Sequence, residues 1–288
     1  MVPLSLIDIV AVSVLLGLVQ GISEWLPISS KTQILIVCVL VLGLTFNEGY
    51  ALGLFLEGGT VFAAIIYFRK EVASMVRTLF GRGSLEGRAL FKFVLVSTVF
   101  TGIIGSALYA IVDSLQGTYN LGIPMLVLGA VLVGDAVFIR YSRSKYSKNT
   151  TRKTLSQMTF KEYAVVGAVQ GIAALPGVSR SGATTSALLL MNVETDEAFR
   201  LSFIDMILAT TGAILLTIIV SRASISSSIA LIGVYGLLVS IVVATLISLL
   251  LIRFLLNIAK KSSIVYLILA LGIIALAGGV LSALYGIA

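Results

Sequence analysis

Two short stretches hold the side chains that could do chemistry. Gln20 to Gln33 reads Q-G-I-S-E-W-L-P-I-S-S-K-T-Q, and Gln170 to Thr184 reads Q-G-I-A-A-L-P-G-V-S-R-S-G-A-T. Each places polar residues, Gly and Pro inside an otherwise apolar chain. Polar groups in hydrocarbon are costly and mark cavities or buried partners. Broken backbone at membrane depth is tolerated only where it is buried in protein or lines a wet cavity. The two stretches are therefore expected to meet and build one site for an anionic, phosphorylated ligand.

Gln20 and Glu24 are four apart, which puts them on one face of a helix. Together they offer oxygen ligands to a hard divalent cation, which would neutralise phosphate oxygens or activate water. Capping a helix end is the competing role for Glu24. Ser29, Ser30, Ser179, Ser181 and Thr184 flank the breaks. They suit helix capping and also phosphate binding at a helix N-terminus. Ser30 could also serve as a nucleophile with Glu24 as its base. Arg180 lies between a proline break and an apolar run, with no neighbouring charge to suggest a solvated face. Its guanidinium fork matches phosphate oxygens in pairs. Lys31 holds the matching place in the first stretch, either as a second point charge or snorkelling to the interface. Glu57 and Asp205, 148 residues apart, are further acids within apolar runs, suited equally to structural hydrogen bonds and to catalysis. Lys92, near the end of an apolar run, reads as an interfacial anchor.

The elements that position these groups follow from composition. The chain has 288 residues, 58% of them apolar and 11% charged, against roughly 25% charge in soluble domains. Several apolar runs reach the length of about 20 residues that spans a bilayer. The net charge is +7. Its basic residues fall in short loops between spans, which fits the positive-inside pattern and not a nucleic-acid partner. Cys38 is the one cysteine, so no disulfide forms within the chain, and there is no histidine. Histidine-based metal sites and acid–base chemistry are thereby excluded. The N-terminal M-V-P-L-S has no basic region, so the first helix is expected to be retained and not cleaved as a signal peptide.

In chain order, apolar residues 4–22, the Glu24–Pro27 break and residues 31–44 read as a re-entrant pair spanning 4–44. Spans are expected at 49–68, 89–110 and 121–140, with polar loops at 69–88 and 141–162. The pattern then repeats: 163–175, a break at Pro176–Ser181, 182–191, and spans at 198–220, 228–256 and 264–286. Gly17, Val19, Gln20, Gly21 and Ile22 match Gly167, Val169, Gln170, Gly171 and Ile172 at an offset of 150. Pro27 matches Pro176 at 149, and Ser30-Lys31-Thr32 then faces Ser179-Arg180-Ser181. The expectation is an all-α polytopic membrane protein, one membrane domain over 1–288. It is an inverted-topology repeat with six transmembrane helices and two re-entrant helix pairs. The first repeat covers 1–140 and the second 163–288, with its re-entrant pair at 163–191. Three crossings per half invert the second half, and such repeats share a site near the midplane. Loops 69–88, 141–162 and 257–263 carry the basic residues and are assigned to the cytoplasm, which puts both termini outside. Arg222, in the outer loop 221–227, is an exception.

These motifs resemble the undecaprenyl-pyrophosphate phosphatases of the bacitracin-resistance type. Gln20 to Glu24 is similar to that family's (E/Q)-x-x-x-E motif, continuing into P-x-S-S at Pro27 to Ser30. Pro176 to Thr184 matches P-G-x-S-R-S-x-x-T without a mismatch. The resemblance implies an interdigitated inverted repeat in the plasma membrane. It implies hydrolysis of a polyprenyl diphosphate to the monophosphate and inorganic phosphate, which recycles a lipid carrier for cell-surface glycans. It also implies a divalent cation (Mg or Ca) and a pocket opening to the outer face. The implied roles are metal or base for Glu24 and Gln20, nucleophile or phosphate contact for Ser30, and diphosphate binding for Ser179, Arg180, Ser181 and Thr184. Ser29, Lys31 and Gln33 complete the candidate substrate contacts. The family commonly has S-S-T-G-H, with a catalytic histidine proposed, where this chain has S-S-K-T-Q and Gln33. Weight then moves to Ser30 or a metal-activated water, and to a branch using another carrier, such as a dolichyl one. A transporter or flippase of a lipid phosphate is the rival reading. It needs the Arg180 clamp but not the Glu24–Ser30 pair. Membrane lipids are the surrounding partners, and a homodimer is compatible with a membrane protein of this size.

Overall fold

The computed structural model describes residues 5–26, 28–114, 126, 129–130, 132–134, 136–137, 140, 152–175, 177–259 and 264–285. Among them are ten α-helices: α1 Leu6–Ser23, α2 Ser30–Leu42, α3 Phe46–Tyr67, α4 Arg69–Leu79, α5 Leu85–Ser114, α6 Phe160–Ile172, α7 Arg180–Leu190, α8 Thr195–Val220, α9 Arg222–Ala259 and α10 Ile264–Tyr285. Five of these contain stretches long and apolar enough to cross a membrane: Leu6–Ser23, Phe46–Tyr67, Leu85–Ile111, Thr195–Val220 and Ala230–Ile258. The molecule is an all-α, multi-pass membrane protein. Pro27, Pro176 and most of the expected span 121–140 lie outside the described residues; those described within 121–140 are helical.

Helix starts are written locally. Ser5 with Asp8, Thr45 with Glu48 and Thr159 with Glu162 each form a reciprocal capping box at the head of α1, α3 and α6. Each box satisfies two backbone N–H groups that would otherwise lack partners, a gain of about 1 kcal/mol. The short helices α2 and α7, of 13 and 11 residues, follow the two polar breaks as expected.

Two expectations need correction. The sequence of 69–88 reads as a polar loop, but Arg69–Leu79 is helix α4. Arg69, Lys70, Glu71 and Arg77 mask an amphipathic pattern that leaves Val76, Leu79 and the following Phe80 exposed. The expected loop 221–227 is also helical. Ser221 caps the end of α8, its N–H donating to the Thr217 carbonyl, and α9 begins at the next residue, with its break at Gly233, φ 69°.

The first helix of each half packs on a long helix of the other, α1 on α9 and α6 on α5. Glycines allow the approach. A Cβ on Gly17 would lie 2.6 Å from the Ser240 carbonyl, and one on Gly21 would lie 2.9 Å from that of Ala244. On α6, a Cβ on Gly167 would lie 2.2 Å from the Ser97 carbonyl, and one on Gly171 would lie 2.8 Å from Ile104 Cβ. Small residues four apart are how helices pack closely in lipid, where no hydrophobic force drives them together. A core around Trp25, Leu188, Leu201, Phe203 and Ile252 ties these layers together, with Trp25 edge-on to Phe203 at 4.9 Å.

Gly167→Ala should destabilise by about 1–3 kcal/mol, because overpacking against backbone must displace a helix. Gly58→Ala, whose Cβ would meet nothing nearer than Ile214 Cδ1 at 3.8 Å, should be neutral or stabilising by up to ~1 kcal/mol. Thermal midpoints in detergent check the pair.

Candidate active site

The two breaks meet. Glu24 caps the C-terminal end of α1, Ser30 and Lys31 open α2, and Arg180 opens α7. Arg180 Nη2 donates to Glu24 Oε1, across 156 positions of sequence, and Nη1 donates to Thr210 Oγ1 on α8. The other Glu24 oxygen, Oε2, accepts from Gln20 Nε2 at 2.7 Å and from Ser30 Oγ at 2.5 Å. Beside this group Lys31 Nζ pairs with Glu57 Oε1 at 3.4 Å. Glu24, Glu57, Lys31 and Arg180 are each at most 8% exposed. Two acids and two cations thus balance within one buried cluster, as burial of charge requires.

The backbone is bent to allow this. Ser29, just before α2, has φ 56°, a conformation that side-chain-bearing residues rarely adopt and that collects at functional sites. Its hydroxyl lies 2.9 Å from Thr32 Oγ1. Thr32 Oγ1 in turn accepts from the Gly177 N–H at 2.7 Å, joining the first break to the second. Gly177 has φ 88°, which needs glycine. Ser179 caps α7, accepting from the Gly182 N–H at 3.3 Å. Ser179 and Ser181 both donate to the Leu26 carbonyl, at 3.4 and 3.3 Å. Thr184 donates to the Arg180 carbonyl at 2.8 Å and sits 2.5 Å from Ser202 Oγ. Two helix N-termini therefore begin at the cluster, each with a partial positive charge suited to an anion.

Arg180, Lys31, Glu57 and Thr210 face a cavity of about 310 Å³. Its far walls come from α3, α5, α6 and α8, including Tyr50, Tyr109 and Gln170. The structure thus gathers Gln20, Glu24, Ser29, Ser30, Lys31, Ser179, Arg180, Ser181 and Thr184. It does not bring Gln33 to the cluster: that amide donates to the Ile28 carbonyl at 3.3 Å and is half-buried. Lys31 does not snorkel, because Glu57 holds it in the interior. Sequence reasoning missed Thr32 and Thr210. Thr32 stood inside the first polar stretch, but Thr210 lies in an apolar run with nothing to mark it.

The donor set suits a hard cation. Gln20 Oε1 is buried without a partner and lies beside the Glu24 carboxylate. Among the described residues no group of three acidic, His or Cys side chains encloses a metal.

An all-α bundle of apolar helices with a buried Arg–Lys–carboxylate–Ser cluster defines an integral membrane protein with an anion-handling site. The match to the family of the bacitracin resistance protein BacA covers residues 13–277, and the chain belongs to that family. A Saccharolobus solfataricus protein named undecaprenyl-diphosphatase is 47% identical over 274 residues, covering 95% of this chain and 96% of that one. Proteins of the same name from Sulfurisphaera tokodaii (41% identical, 98% and 100% covered) and Pyrobaculum aerophilum (38%, 95% and 98%) are also similar.

Thr32→Val should leave the Gly177 N–H unpaired at a cost of about 1–3 kcal/mol, whereas Gln33→Ala should cost under ~1 kcal/mol. Unfolding midpoints of the two variants, measured side by side, check this.

Proposed function

We infer that this chain is a membrane phosphatase that hydrolyses undecaprenyl or a related polyprenyl diphosphate to the monophosphate and inorganic phosphate. The observation that carries the reading is the join of Glu24, Ser30 and Arg180. Ser30 and Arg180 both bond the Glu24 carboxylate in a buried site at the edge of a cavity, an arrangement that suits a nucleophile, its base and an anion clamp. A transporter of a lipid phosphate would need the clamp but has no use for a Ser–Glu hydrogen bond of 2.5 Å.

Arg180 and Lys31 bind the diphosphate by exchanging their carboxylate partners for phosphate oxygens. Ser179, Ser181 and the first turns of α2 and α7 add hydrogen-bond donors. Glu24 takes the Ser30 proton as Ser30 Oγ attacks the terminal phosphorus. The bond from that phosphorus to the bridging oxygen breaks, the lipid monophosphate leaves, and a phosphoserine remains. Glu24, now protonated, passes its proton to the leaving phosphate. It then accepts a proton from the water that attacks the phosphoserine phosphorus and returns it to Ser30 Oγ as the P–Oγ bond breaks, which frees inorganic phosphate and restores the serine. Phosphoryl transfer asks mainly for positioning and charge stabilisation, which these residues supply without histidine. Glu24 and Gln20 Oε1 would hold a divalent cation such as Mg or Ca, which supplies neutralisation of phosphate charge when bound.

The matching halves are proposed to be inverted in the membrane, with the basic segments 69–88, 141–162 and 257–263 cytoplasmic, and the termini and the cavity mouth outside. The buried Cys38 leaves a silent background for labelling. A cysteine placed by Lys161→Cys should react with an impermeant maleimide only from the cytoplasmic side, and one placed by Ser227→Cys only from outside. The reverse pattern would overturn the orientation.

Phosphate release from undecaprenyl and dolichyl diphosphates in detergent tests the activity. Arg180→Ala and Glu24→Gln should each lower kcat by at least ~10²–10³-fold, the scale of losing one transition-state contact. Ser30→Ala should do the same. If it retained most of the rate, the nucleophile would be water.

A further inference from the structure

Gln20 and Gln170 stand at matching places in the two halves, and each donates its amide to a buried carboxylate. Gln20 Nε2 reaches Glu24 Oε2 at 2.7 Å, and Gln170 Nε2 reaches Asp205 Oδ2 at 3.0 Å. Each leaves its carbonyl oxygen buried without a partner. The two carboxylates differ in what neutralises them. Glu24 has Arg180. Asp205, fully buried, receives Ser97 Oγ at 2.6 Å and the Gln170 amide. Among the described residues no Lys or Arg hydrogen-bonds or ion-pairs with it.

Three buried oxygens have no hydrogen-bond partner: Asp205 Oδ1 and Gln170 Oε1, on side chains bonded to each other, and Thr98 Oγ1, on a residue that lines the same cavity as Gln170. They come from α8, α6 and α5, and Thr98 directly follows the Ser97 that bonds Asp205. Gln170, Thr98 and Thr101 line the same cavity as Arg180, so water and ions have a way in. Orphaned buried acceptors cost free energy, and a lone buried carboxylate costs more. A cation among these oxygens would remove both costs. Its charge is set by the single acid. One carboxylate neutralises a monovalent ion, whereas a divalent ion would leave net positive charge in a low-dielectric wall that already faces Arg180. Oxygen ligands select a hard ion.

We propose that Asp205, Gln170 and Thr98 bind a small monovalent cation of the sodium type, with cavity water completing its shell. The proposal does not depend on the phosphatase reading.

The chain carries its own reporter. Trp25, the single tryptophan, packs edge-on against Phe203 at 4.9 Å, two residues before Asp205 on α8. The purified full-length protein in detergent would be titrated with NaCl against choline chloride at constant ionic strength. Trp25 fluorescence and the thermal midpoint would both be read. A saturable, sodium-specific change is expected in both, with a midpoint rise of about 4 °C at thirtyfold excess over the dissociation constant. Asp205→Asn should abolish the sodium response and melt above the wild type in choline. Thr98→Val, which removes one neutral ligand, should weaken half-saturation roughly three- to tenfold while leaving stability in choline unchanged or higher. If Asp205→Asn does not fold, Thr98→Val carries the test. Equal responses to both salts, a sodium response that survives in Asp205→Asn, or a midpoint that tracks pH but not sodium would each overturn the proposal; the last would assign the niche to a proton.

Discussion

The contact between Arg180 and Glu24 is the constraint on which the rest of the structure depends. Either charge alone at this depth would be prohibitively costly, and removing one partner of a buried pair typically costs more than the pair contributes. The two residues come from distant parts of the chain, so the pair forms only when α1 and α7 arrive together. Each then needs its own supports: Gln20 and Ser30 for Glu24, Thr210 for Arg180. Lys31 with Glu57 closes the account of charge beside them.

Bringing two broken segments to one point requires close helix packing elsewhere. The glycines of α1 and α6 bring those helices close to α9 and α5, against backbone and the Cβ atoms of Val243, Ile247 and Ile104. The Thr32–Gly177 hydrogen bond then fixes one break against the other. The strained Ser29 backbone is held by these surroundings and not by its own preference. The cavity follows from the same geometry: small residues such as Gly102, Gly105, Ala174, Gly212 and Ala213 leave its walls thin, while Arg180 and Lys31 give one side a charge.

Much of this was legible before folding. Gln20, Glu24, Ser30 and Arg180 stood out because polar residues in an apolar run must answer to something. The repeat showed in the order of Gln, Gly, Pro and Ser at offsets of 150 and 149. Other features were hidden. Helix α4 looked like a loop because its basic residues outweighed its apolar face. Gln33 looked like a site residue because of its place in the motif, yet one turn of α2 carries its amide away to the Ile28 carbonyl. Glu57 and Asp205 were visible as acids at matching positions, but nothing in their neighbours showed that one would meet a lysine and the other would not.

The sequence by itself determined the solvent this protein lives in, the five described helices long and apolar enough to cross it, the two polar breaks, and which residues are too polar to sit idle. Those properties depend on runs of neighbours: hydropathy over about 20 residues, capping over four, and a motif over nine. Only the tertiary structure decided which charges cancel. Pairing of Arg180 with Glu24, of Lys31 with Glu57, and of Asp205 with the neutral Ser97 and Gln170 depends on distances between helices that are far apart in the chain. Electrostatic cost in a low-dielectric interior is set by those distances, and no local pattern encodes them.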